Sequence, residues 1–271
     1  MEERMDHSFL TTMVGKEVKA YKGGPESWHG LLLAVKPDFI MIFNEKDGFI
    51  YYKTKHIKNV IVDSKTNTQG FNSFDSDGEE QDSFQEILEN LINETIKINR
   101  GGPASRKGIL LAVTTDFLVL YDEKEGVVYY NLEHIKSVSV KVDEKGRSTE
   151  PQDENNEEKE EELENGKTVH FINVNEFNQL FEEMKYSFVI INRGPESAEG
   201  ILVDTSDGLL TLVVREEVLR VSQFHVKSIR QKLKTESSED NNGNNNENNN
   251  QSDESSIVAA KKRLQDRKKG R

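Results

Sequence analysis

The sequence predicts a mainly β chain with short helices, built as three tandem small barrels, each opened by a helix and joined to the next by an acidic linker. Three observations lead there: a motif written three times, a helix period that gives way to strand-like runs in each copy, and polar, acidic stretches between copies. Gly23-Gly24-Pro25-Glu26-Ser27 recurs as Gly101-Gly102-Pro103-Ala104-Ser105 and, one glycine shorter, as Gly194-Pro195-Glu196-Ser197. Each copy carries a glycine five residues past the proline (Gly30, Gly108, Gly200) and closes on a His-x-Lys step: His56-Ile57-Lys58, His134-Ile135-Lys136, His225-Val226-Lys227. The spans Pro25–His56, Pro103–His134 and Pro195–His225 agree to within one residue, as a duplicated folding unit requires.

The 271 residues then divide into barrel repeats at 7–62, 83–142 and 169–231, acidic linkers at 63–82 and 143–168, and an Asn-rich acidic segment with a basic tail at 232–271. Units this small bury limited apolar surface, and the chain has no cysteine with which to staple them. The net charge of −13 sits mainly in the linkers. Runs such as Glu157–Glu162, or the asparagines of 244–250, lack the apolar residues needed for a core and predict disorder. The start, Met1 to Asp6, has no apolar h-region and no run reaches a membrane-spanning length, so neither a signal peptide nor a transmembrane helix is expected.

Within each copy the elements follow in order. Phe84, Ile87, Leu88, Leu91 and Ile92 fall at helical spacing, with Ser83 and Glu86 placed as a capping box. Phe177, Leu180, Phe181 and Met184 match them, and Phe9, Leu10, Met13 and Val14 form a shorter version. A first strand (18–21, 96–98, 188–191) runs into the Gly-Pro turn, and a second follows the glycine (31–35, 109–113, 201–203). A third comes after an aspartate (Asp38, Asp116, Asp207), and a fourth after a charged turn. A fifth starts at the His-x-Lys step. A helix and five short antiparallel strands are the plan of an Sm-like or SH3-like barrel, in which a bent strand needs a residue without a side chain where backbones crowd.

Chemistry is sparse. His56, His134 and His225 stand in separate copies without companion ligands, so they predict backbone hydrogen bonds at the entry to strand five rather than a metal site. The turns containing Arg100 and Arg193 could offer N–H groups and a cation to an anion, which makes the two arginines candidate interaction residues. Lys22 stands there in copy one, and no Walker or dinucleotide pattern occurs. No nucleophile is paired with a base, which points away from an enzyme, and no cofactor is implied. An Sm-like barrel raises RNA binding as an alternative, but Tyr51, Tyr52, Tyr129 and Tyr130 alternate inside a strand as core residues do, and the acidic linkers oppose a phosphate backbone.

The turn Asn99–Ser105, the strand Val127-Val128-Tyr129-Tyr130 with His134-Ile135-Lys136-Ser137, and the segment Ile190 to Asp204 resemble the spore coat protein B family, across roughly residues 8–230. The resemblance implies a non-enzymatic structural protein of the outer spore coat, synthesised in the mother cell and docked to other coat proteins. Self-association is a further partner the repeated architecture leaves open. The long Ser-Lys-Arg tail of the better-known member is absent here, which puts its phosphorylation in doubt for this chain. Three copies on spacers suit multivalent attachment, in which weak contacts add through effective concentration.

Overall fold

In a computed structural model of the chain, residues 8–62, 81–141 and 169–232 are described. The expected linkers and basic tail fall outside these residues, apart from their ends. One succession of elements occurs three times. The first is α1 (Ser8–Thr11), β1 (Glu17–Ala20), β2 (Trp28–Val35), β3 (Phe39–Asn44), β4 (Gly48–Lys53) and β5 (Val60–Val62). The second is α2 (Phe84–Asn90), β6 (Thr95–Ile98), β7 (Arg106–Val113), β8 (Phe117–Asp122), β9 (Gly126–Asn131) and β10 (Ser137–Val140). The third is α3 (Phe177–Glu183), β11 (Phe188–Ile191), β12 (Ala198–Asp204), β13 (Leu209–Val214), β14 (Glu217–Ser222) and β15 (Ser228–Gln231).

Two compact units divide the chain between Phe171 and Ile172. In the first, ten strands form one antiparallel ladder in the order β9-β8-β7-β6-β10-β4-β3-β2-β1-β5; in the second, five run β14-β13-β12-β11-β15. Each copy therefore has the internal order 5-1-2-3-4. Strand five pairs with strand one, and strand four does not close on its own strand five. In copy one it pairs instead with β10 of copy two.

The helices follow their apolar spacing. Phe84, Ile87 and Leu88 are buried in α2, and Phe177, Leu180 and Phe181 in α3. The expected cap at Ser83 forms, its Oγ accepting from Glu86 N at 3.2 Å. Glu86 reaches Asp82 N rather than the cap's own amide, so the box is half completed. Copy one keeps only four helical residues, and its Phe9 is 69% exposed.

The glycines after the prolines lie inside strand two, not ahead of it as the sequence reading had them. A methyl group on Gly30 would stand 2.1 Å from Phe43 O, and one on Gly108 2.2 Å from Tyr121 O. Strands two and three cross there at a distance that no side chain permits. Two residues on, every copy shifts register, between Leu32 and Ala34, Leu110 and Ala112, and Leu202 and Asp204. A bulge at this point bends the strand and increases its twist.

Strand five starts later than expected. His56, His134 and His225 each end a three-residue 3-10 turn (Thr54–His56, Leu132–His134, Gln223–His225), and the fifth strand begins three or four residues on. Such a turn is too short to leave a period in the sequence.

Gly30→Ala should lower stability by about 1–3 kcal/mol, the cost of forcing atoms into a packed site. Gly23→Ala, where an added methyl meets nothing within 4 Å, should change it by less than about 0.5 kcal/mol. Chemical denaturation of the two variants checks the contrast, and equal losses would contradict it.

Candidate functional site

The repeated Gly-Pro turn and the His-x-Lys step meet in space, held in copies two and three by the asparagine ahead of the turn. Asn99 and Asn192 precede the turns, in left-handed conformation and buried. Asn99 Oδ1 accepts from Lys136 N at 2.9 Å, and Asn192 Oδ1 from Lys227 N at 2.7 Å. The amide groups close the ring by donating to Ala104 O (3.3 Å) in copy two and to His225 O (3.0 Å) in copy three. Asparagine suits this place because it tolerates left-handed backbone and carries both an acceptor and a donor. In copy one Tyr21 takes the position at φ 73°, with the Lys58 ammonium 5.6 Å from its ring centroid.

The turn itself is closed by Ser27, Ser105 and Ser197, whose N–H groups donate to Gly24, Gly102 and Gly194 O at 3.2, 3.2 and 3.0 Å. Those three glycines have φ of 90°, 76° and 63°. Gly23 and Gly101 do not adopt positive φ, so the shorter third copy has lost the glycine whose conformation any residue could adopt. Pro25, Pro103 and Pro195 follow the left-handed glycine at the exposed tip.

A dense constellation lies where copy one meets copy two. β10 pairs with β4 in the register Ser137↔Tyr52, Val138↔Tyr51, Ser139↔Ile50, Val140↔Phe49, extended by Lys53 N donating to Lys136 O at 2.9 Å. Trp28, fully buried and the single tryptophan of the chain, donates from Nε1 to Ser137 Oγ at 3.0 Å. The Arg100 guanidinium lies 4.9 Å from the Trp28 ring centroid. Glu26, 5% exposed, accepts from Arg100 N at 3.1 Å. Burial pushes its carboxyl above the usual range, against the opposing pull of that N–H. Arg193 is half-buried in the third copy's turn.

Asp38 crosses the same seam. Its carboxylate accepts from Phe84 N at 3.1 and 3.0 Å, so an aspartate in a turn of copy one caps the next copy's helix. Phe39 belongs to the core of copy two, its ring 6.5 Å from that of Phe84. Lys53 Nζ donates to Leu132 O at 2.7 Å and lies 4.7 Å from the Phe84 ring centroid. Burial, assisted by Lys55, pushes Lys53 down to about 8.

His56 Nε2 lies 3.0 Å from Glu133 O, a backbone carbonyl of the neighbouring copy, and Lys55 pairs with the Glu133 carboxylate at 2.7 Å. Burial, with Lys55 and Lys53 nearby, lowers His56 to about 4, so the neutral ring donates to that carbonyl. Among the tyrosines, Tyr52 points into the core of copy one and Tyr51 packs against that of copy two, whereas Tyr129 and Tyr130 are both buried. Arg106, where copy one has Trp28 and copy three Ala198, pairs with Asp122 at 3.0 Å and with Glu125. Among the described residues no group of three His, Asp or Glu gathers as metal ligands, and no helix is long and apolar enough to cross a membrane.

This arrangement joins polypeptide to polypeptide: backbone ladders, a shared apolar core and ion pairs at the rim define a mainly β protein assembled through strand edges. No family model matches the chain. It is 37% identical over 224 residues to spore coat protein B of Bacillus subtilis (strain 168), a match covering 82% of this chain and 54% of that relative. The chain belongs to the spore coat protein B family and spans about half the length of the relative it matches.

Two predictions follow from the seam. Asp38→Ala removes a cap from α2 and should cost about 0.5–2 kcal/mol, read by denaturation; an unchanged stability would contradict the cap. His56 is held below its unfolded value, so the unfolded chain binds the extra proton between about pH 6.5 and 4, and stability falls as pH drops through that window. Melting temperatures of the chain and of His56→Gln should differ by a constant amount above pH 7 and converge toward pH 4. A gap that stays constant throughout would contradict this.

Proposed function

We propose that this chain is a non-enzymatic structural component of the outer bacterial spore coat, docking to other coat proteins through several copies at once. The observation that carries the reading is the similarity to spore coat protein B, since a match of 224 residues in a chain of 271 must reach into all three copies. The geometry favours the same role. The site described above, rich in buried polar and apolar contacts, is a strand-to-strand seam, the kind of contact from which layers are built. Each copy is read as an Sm-like barrel. This is supported by the strand order 5-1-2-3-4, the bulge in strand two, the N-terminal helix and the 3-10 turn before strand five. Three such barrels on acidic spacers would add weak attachments by effective concentration.

A fluorescent fusion of the full chain, followed through sporulation, tests the reading. It should appear only in the mother cell and then encircle the spore, resisting salt washes and leaving with denaturant. Equal abundance in vegetative cells, or a diffuse signal around mature spores, would contradict it.

A further inference from the structure

The ladder of copy one ends at β5 and that of copy three ends at β14, and these two edges are the same pair of strands that join inside the chain. In the observed seam strand five of copy two, β10, is buried at all four positions, and the inward residues of β4 are buried too. On the open edges the equivalent positions are uncovered. Ile61, in the place of Ser139, is 42% exposed; Leu219, in the place of Ile50, is 41% exposed although Ile50 is 0%.

Applying the observed register to the open edges pairs Val221 with Asn59, Arg220 with Val60, Leu219 with Ile61 and Val218 with Val62. The two exposed aliphatic side chains then fall directly opposite one another. They occupy a non-hydrogen-bonded pair, where cross-strand side chains approach most closely. Phe224, 78% exposed, takes the place of Lys55, which in the observed seam reaches Glu133. On the open edge Phe224 would meet Lys55 itself, an aromatic ring facing an ammonium.

We propose that β14 of one chain pairs antiparallel with β5 of a second copy of the same chain, continuing head to tail the seam that joins copy one to copy two. The occupant is a second copy because strand four and strand five of this chain already form the complementary pair. Such an interface is heterologous, and each added copy offers the same two strands again, so it extends into a filament or closes as a ring. This inference stands on strand pairing alone and does not depend on the spore-coat reading.

The observed bond from Lys53 N to Lys136 O sets the alternation, which turns the N–H groups of Arg220 and Val60 toward the open edges. Arg220→Pro and Val60→Pro each remove one outward donor while sparing the ladder behind it. Sedimentation velocity of the full chain over a concentration series should show species growing beyond the monomer. Each proline variant alone should remain monomeric, and an equimolar mixture should give a one-to-one dimer and nothing larger. Should circular dichroism show a proline variant unfolded, Leu219→Glu and Ile61→Lys replace the pair, each monomeric alone and assembling when mixed. A wild-type chain that stays monomeric throughout, folded variants that assemble unaided, or mixtures that stay monomeric would overturn the proposal.

Discussion

Everything in the first unit depends on where strand four sends its second row of backbone groups. A strand in the middle of a sheet must satisfy N–H and C=O groups on both sides, and a small bent sheet can do so by closing on itself or by taking a neighbour. Copy one takes a neighbour: β10 supplies the ladder, and the rest of the seam follows from that register. Ser137 comes under Trp28, the Arg100 turn comes against Glu26, and α2 starts where Asp38 can cap it. The same pairing places Phe39 of copy one in the apolar core of copy two.

The Gly-Pro turn has a different job from the one its repetition suggests. Its left-handed glycine and closing serine shape a corner, and an asparagine ahead of it ties that corner to the start of strand five. Since strand five is the element offered to a neighbouring strand four, the motif fixes the position of the docking edge. That explains why turn and His-x-Lys step keep their spacing in three copies while the residues at the seam vary. Trp28, Arg106 and Ala198 occupy one position; Trp28 reaches Ser137 there, whereas Arg106 reaches Asp122.

Much of the fold was legible because it is periodic. The apolar spacing of α2 and α3 and the strand-length runs between turn residues placed most elements within a few residues. The 3-10 turns were not legible, since three residues carry no period, and the glycines were set ahead of strand two because a glycine inside a strand resembles a break. The seam was invisible for another reason. Glu26, Asp38 and Ser137 look like ordinary turn and strand residues until the pairing of copies brings them together. One local signal was available: a lone tryptophan at a strand start, in a copy whose siblings carry arginine and alanine there.

Amide hydrogen exchange along β4 of the intact chain tests the seam most directly. The N–H groups of Ile50 and Tyr52 face β3, and those of Tyr51 and Lys53 face β10. With copy two closing the edge, all four should exchange at comparably slow rates, limited by opening of the sheet. Rapid exchange at Tyr51 and Lys53 beside slow exchange at Ile50 and Tyr52 would show an open edge and contradict the account.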